Sequence, residues 1–226
     1  MFELIIDSIG TIIANMILFL IVPFLWWFIK YRKNISFVKW IGLKKPELKS
    51  KWWIIIIFII LYCFFYLFDF TVFMDQKSLE LLQTSESVSA NIYDGLGWIA
   101  IIPALLTTFI ANGLCEEILF RGFICKRLCS KFGKITGVII QGILFGLMHN
   151  MIYLLSGIDV SFQFHIVVFI FTGMGGFLLG MLNEKIYNGS IIPSVLLHGL
   201  GNFINGRRTS LPCLQTGAPS ERMQAY

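Results

Sequence analysis

Three short segments of the chain carry residues able to do chemistry. The first is Cys115-Glu116-Glu117-Ile118-Leu119-Phe120-Arg121, two adjacent carboxylates with a guanidinium four residues after the second. In an apolar setting neighbouring carboxylates do not both ionise readily unless a cation or a metal compensates, and Arg121, one helical turn from Glu117, can supply that cation. Glu116 points away from that pair, and a spare carboxylate in such a place suits a general base. The second segment pairs Phe145 with His149 and the third pairs His198 with Asn202, both at helical spacing. The chain has only three histidines, and two of them fall in apolar runs with a helper one turn away. His165 lacks such a partner and reads as a hydrogen-bonded packing residue.

Two carboxylates, two imidazoles, a guanidinium and an amide make a set capable of hydrolysis. In one scheme Glu116 takes a proton from a water that His149 also holds, while His198 and Asn202 donate to the oxyanion of the tetrahedral intermediate. In another, Glu116, His149 and His198 are the three protein ligands of a catalytic zinc with an open position for water. There is no HExxH, and spacing leaves both schemes open. An ion or proton transporter would also place Glu and His inside the membrane, though without the symmetry between halves that transporters usually show. A non-catalytic peptide-binding immunity or scaffold protein would need the fold but not Glu116.

The elements that must position these residues are membrane helices. Of 226 residues, 57% are hydrophobic and only 14% charged, with a mean hydropathy of +0.78, which excludes a soluble domain carrying the usual ~25% of charge. The apolar residues form six runs, about Ile9–Ile29, Trp52–Phe73, a third from Trp98 to the Glu pair, Ile135–Leu155, Phe164–Leu182 and Ile191–Ile204. An all-α polytopic bundle of about six spans follows. The net charge of +5 and pI near 9.0 do not indicate nucleic acid, because the basic residues sit in loops beside the lipid bilayer. Eight Lys and Arg lie between Lys30 and Lys51 against Glu47 alone, and Arg121, Lys126, Arg127, Lys131 and Lys134 follow the third span, so both loops are expected on the cytoplasmic side with the site near them. The loop from Met74 to Gly97 carries Asp75, Glu80, Glu86 and Asp94 against Lys77 and is expected outside. The five cysteines form no CxxC pair and read as reduced packing residues.

The chain divides into residues 1–97, with two accessory spans, residues 98–205, with the chemistry, and residues 206–226. That last stretch has three Arg, no Lys and no Ile, Val or Phe, and reads as a disordered polar tail, native or an expression remnant. Gly142 with Gly146 and Gly176 with Gly180 mark where the fourth and fifth spans should touch, and Pro103 and Pro193 are expected to bend the third and sixth. Asp69 is an acid inside an apolar run with no evident role. Straight helices with flush ends would set Glu116 and His149 at different depths. The third and fourth spans are therefore expected to extend beyond the bilayer as a hairpin over Gly122 to Lys134.

EExxxR at Glu116, Glu117 and Arg121, FxxxH at Phe145 and His149, and HxxxN at His198 and Asn202, in that order on successive apolar helices, resemble the CPBP (CAAX protease and bacteriocin-processing, or Abi) family of intramembrane proteases. The resemblance covers roughly Trp98 to Asn205. It implies a helical bundle with an intramembrane site that hydrolyses a peptide bond of a membrane-associated peptide or protein. The family is named as one of metalloproteases, although a metal-free glutamate mechanism has also been argued for it. Its bacterial members are associated with peptide export, bacteriocin immunity and maturation of signalling peptides. The abundance of Ile, Phe, Lys and Asn in the body suggests a bacterial membrane and a substrate that is not prenylated.

Overall fold

The computed structural model describes residues 2–49, 52–84, 93 and 96–216, so Glu86 and Asp94 of the acidic loop lie outside the described residues. The described residues hold helices and no strand. Four helices are long and apolar enough to cross a membrane: α1 (Phe2–Lys30), α5 (Gly97–Phe132), α6 (Lys134–Ser156) and α7 (Phe162–Ile186). Two more have shorter apolar stretches, α3 (Trp52–Leu67) and α8 (Ile192–Thr216). Short helices α2 (Phe37–Ile41) and α4 (Gln76–Thr84) lie in the connections. The six apolar helices match the six runs of the sequence.

The α5–α6 hairpin settles the difference in depth. Helix α5 is 36 residues long and runs past the Glu pair to Phe132, where Gly133 turns the chain directly into α6. Gly133 has φ 84° and ψ 160°, a backbone conformation open to glycine and closed to residues with a Cβ. Residues equally far from Gly133 face each other: a Cβ on Gly137 would run into the backbone of Cys129, and the Arg121 guanidinium lies over the Phe145 ring. The same register carried one turn further brings Glu117 level with His149.

The α6–α7 seam is built from small residues. A Cβ on Gly142 would lie 2.9 Å from the Gly173 carbonyl oxygen, one on Gly146 2.7 Å from that of Phe169, and one on Gly180 2.8 Å from a Val138 methyl. With no water to drive helices together in lipid, such close backbone approach is the main source of attraction. Helix α1 also joins the core, because Phe19 packs with Cys115, Phe120 and Phe145. Its Asn15 Nδ2 donates to the Ala111 carbonyl at 3.0 Å, which satisfies a polar side chain within the span. On the other flank Phe58 and Tyr62 of α3 pack against Leu179, Leu182 and Ile186, and the Tyr62 hydroxyl donates to the Leu197 carbonyl at 2.7 Å.

The basic loops converge at one end of the bundle. Lys126 Nζ reaches Glu184 Oε1 at 3.1 Å and donates to the Gly189 carbonyl at 2.6 Å, while Lys134 Nζ donates to the Glu184 carbonyl at 2.9 Å. The loop after α2 docks on the same turn, with the Ile191 N–H donating to the Gly42 carbonyl at 2.9 Å. Trp40 and Ile41 fill the space against Ile118 and Ile191. At the opposite end Ser161 donates to Asp75, and the Ser78 N–H donates to it as well; together they hold that carboxyl down at about 2.

Two expectations need correction. The second span ends at Leu67 rather than Phe73, and Asp69 is the cap of a short 3-10 turn at Phe70–Phe73, accepting from the Thr71 N–H at 3.0 Å. It is a turn residue and not an acid inside the membrane. Pro193 is the second residue of α8, in the first turn where its missing N–H costs nothing, so it starts that helix and does not bend it. The helical backbone of α8 continues to Thr216. Residues 217–226 lie outside the described residues.

Gly137→Ala is expected to lower stability by about 1–3 kcal/mol through overpacking of the hairpin. Gly10→Ala, where no atom lies within 4 Å of the new Cβ, is expected to be silent. Thermal unfolding of the two variants in one detergent measures the contrast.

Candidate active site

The Glu pair sits in an unusual stretch of helix. Cys115–Glu117 is one α-helical turn between two π-helical segments, Leu106–Leu114 and Ile118–Cys125. π-Helical geometry shifts the angular position of each side chain and collects at functional sites. On this backbone Glu117 points into the bundle and is fully buried, while the side chain of Glu116 is 13% exposed.

Glu117 is committed to two partners. Arg121 Nη1 lies 2.9 Å from its Oε1, with the N–H off the line to the oxygen, so the contact is an ion pair more than a directed hydrogen bond. His198 Nδ1 donates to the same oxygen at 2.9 Å. The Phe145 ring supports the group, with the Arg121 guanidinium 4.2 Å from its centroid, His149 at 4.5 Å and His198 at 6.0 Å. One aromatic ring therefore spaces a cation and both imidazoles.

Glu116 approaches the same histidine from the other side, with Oε2 4.0 Å from His198 Nε2. That oxygen is buried and has no hydrogen-bond partner among the described residues. His149 Nδ1 lies 2.9 Å from its own Phe145 carbonyl, which can only accept. Both imidazoles thus carry their proton on Nδ1, and in the neutral form both present a lone pair on Nε2. Asn202 follows His198 by one turn, half-buried, and takes no part in the bonds that join Glu117, Arg121 and His198. His165 is held in a reciprocal pair with Asn150, ring Nδ1 to Oδ1 at 3.0 Å and Nδ2 to the His165 carbonyl at 3.0 Å, as expected of a packing residue.

The structure thus brings Glu117, Arg121, Phe145 and His198 into contact, sets Glu116 beside His198, and keeps Asn202 one turn away. Sequence reading missed Ser194, whose hydroxyl faces Glu117, and Asn183, which donates to Ser194 Oγ at 2.7 Å. Polar residues inside an otherwise apolar run were the available signal.

A comparison with family models places this constellation. Residues 98–204 match the family described as type II CAAX prenyl endopeptidase, Rce1-like. The match runs from the start of α5 to Ile204 and contains all of the candidate residues. It is to the CAAX-protease family that the motifs resemble, and it marks an Rce1-like membrane protease segment. Neither the curated proteins nor the solved structures return a match to the chain.

In this Rce1-like segment the donor types suit zinc, since two Nε2 lone pairs face outward from imidazoles whose Nδ1 atoms are engaged, the usual preparation of a metal-binding histidine. Among the described residues no three His, Cys, Asp or Glu are close enough together to hold an ion.

Arg121→Leu is expected to lower stability by about 3–5 kcal/mol, because it strands the Glu117 charge in the interior. The double substitution Glu117→Gln with Arg121→Met is expected to recover much of that loss. Melting temperatures of the three proteins in detergent test the coupling.

Proposed function

We propose that the chain is an intramembrane endopeptidase that hydrolyses a peptide bond of a membrane-associated peptide or protein, with water activated by Glu116. One observation carries this reading: Glu117 is bound to Arg121 and His198, while Glu116 faces the free side of the same imidazole. Two adjacent carboxylates are thereby given different tasks by their surroundings. The likeness to an endopeptidase family supports the reaction class.

The chemistry follows from the atoms. A water between Glu116 Oε2 and His198 Nε2, which are 4.0 Å apart, can donate one hydrogen to each. Glu116 takes a proton as the water oxygen attacks the substrate carbonyl, and the Glu116 carboxyl then returns it to the leaving amine. The Asn202 amide supplies donors for the oxyanion from one turn along α8, replacing the role first expected of His198. Glu117 keeps the His198 proton on Nδ1, as a buried carboxylate does in a hydrolytic triad, and Arg121 balances its charge. If Glu116, His149 and His198 close on a zinc ion, the metal would supply a water of lowered pKa. No step is assigned to it.

We place the site toward the cytoplasmic side, on the convergence of the basic loops at the end of the bundle nearer Arg121. CAAX-type tails and secreted or signalling peptide precursors are the substrate classes that suit such a position.

Glu116→Gln is expected to lower the cleavage rate by about 10²–10⁴-fold with no change in melting temperature. Assay of the purified variant on a membrane-reconstituted peptide checks this, and cleavage at the wild-type rate removes Glu116 from the mechanism. Loss of proton flux instead of cleavage favours transport.

A further inference from the structure

Beneath the Glu117–Arg121 pair, toward the basic end, lies a layer of buried polar atoms that the catalytic scheme does not use. Gln141 is 0% exposed, and neither its Nε2 nor its Oε1 has a hydrogen-bond partner among the described residues. The same holds for Asn183 Oδ1, Glu117 Oε2 and Arg121 Nε, Nη1 and Nη2.

These atoms belong together. Gln141 precedes Phe145 by one turn on the buried face of α6, and Phe145 carries the Arg121 guanidinium. The Gln141 Oε1 leans on α7 at Gly180, where a Cβ would lie 3.0 Å from it. Three residues further on, Asn183 donates to Ser194 of α8, whose hydroxyl faces Glu117. Four helices thus surround one polar layer. Its far side is the Lys126–Glu184 pair, whose side chains are 16% and 10% exposed.

A buried polar atom without a partner loses its hydration and gains nothing; Arg121 Nη1 is compensated by its ion pair with Glu117, and the other six carry that cost in one layer. Internal water resolves this, since one buried molecule makes about three hydrogen bonds to such groups. The reaction also needs water, because each peptide bond hydrolysed consumes one molecule and the bilayer core supplies none.

We propose that Gln141 and Asn183 hold a short file of internal water that leads from the basic end of the bundle to the Glu117–Arg121 pair and supplies the hydrolytic water. Both are positioning residues, acting on the site through water. The use of this water rests on the hydrolytic reading of the site, whereas its presence does not.

Hydroxyl-radical labelling of the protein in lipid nanodiscs, read by mass spectrometry, separates the two. Radicals form from water beside the side chain they modify, so Phe145, 5% exposed, is expected to be labelled about fivefold more than Phe164, 0% exposed at the opposite end. Gln141→Leu and Asn183→Leu are expected to bring Phe145 down to the level of Phe164 and to lower kcat about tenfold with KM unchanged, while Gln141→Asn, which keeps an uncharged amide with donor and acceptor, retains the labelling. Equal labelling of the two phenylalanines in the wild-type protein overturns the file, whether or not the protein is active and whether or not the variants fold. Unchanged labelling in folded leucine variants overturns the assignment to Gln141 and Asn183. Lost labelling with kcat intact overturns the supply of water to the reaction.

Discussion

A single buried carboxylate organises this protein. Glu117 is ion-paired with a guanidinium on its own helix and accepts from an imidazole on the last helix, in a place without exposure to solvent. A lone charge there would be strongly unfavourable, so α5 and α8 hold their relative position or leave that charge unpaired. The arrangement is costly compared with an apolar core. What it yields is specificity: one tautomer of His198, one orientation of Arg121, and a neighbouring carboxylate left free to react.

The surrounding helices are shaped to let that contact form. Gly133 and Gly137 set the register that puts Arg121 on Phe145, the glycines of the α6–α7 seam bring α7 against α6, and Asn183 of α7 donates to Ser194 of α8. Helix α1, outside the Rce1-like segment, still adds Phe19 to the cluster around Cys115 and Phe145 and ties Asn15 to the Ala111 carbonyl. The basic loops close the nearer end through Lys126, Glu184 and the turn at Gly189. Packing and charge favour one arrangement, as expected of a sequence that specifies a single structure.

Helical spacing made half of the site legible. Glu117 with Arg121, and Phe145 with His149, lie one turn apart on a single helix, and such neighbours are read directly from the chain. Which imidazole meets which carboxylate depends on how separate helices dock, and no local pattern encodes that. The π-helical segments around the Glu pair have no sequence signature. Gln141 was hidden between Ile140 and Gly142, and Asn183 directly follows the last residue of the fifth apolar run. Asp69 was misplaced because hydropathy does not register a capped 3-10 turn that closes an apolar run. The six apolar helices and the extended hairpin followed from run lengths and basic loops alone, because lipid restricts a chain to few solutions.

The central claim is that Glu116 acts on water and does not itself attack the substrate. A single turnover in ¹⁸O-labelled water, with mass spectrometry of both peptide product and protein, addresses it most directly. The expected result is one ¹⁸O in the new carboxyl terminus of the product and none in the peptide bearing Glu116 and Glu117. Label on either glutamate after one turnover would reveal an acyl intermediate and contradict the general-base mechanism.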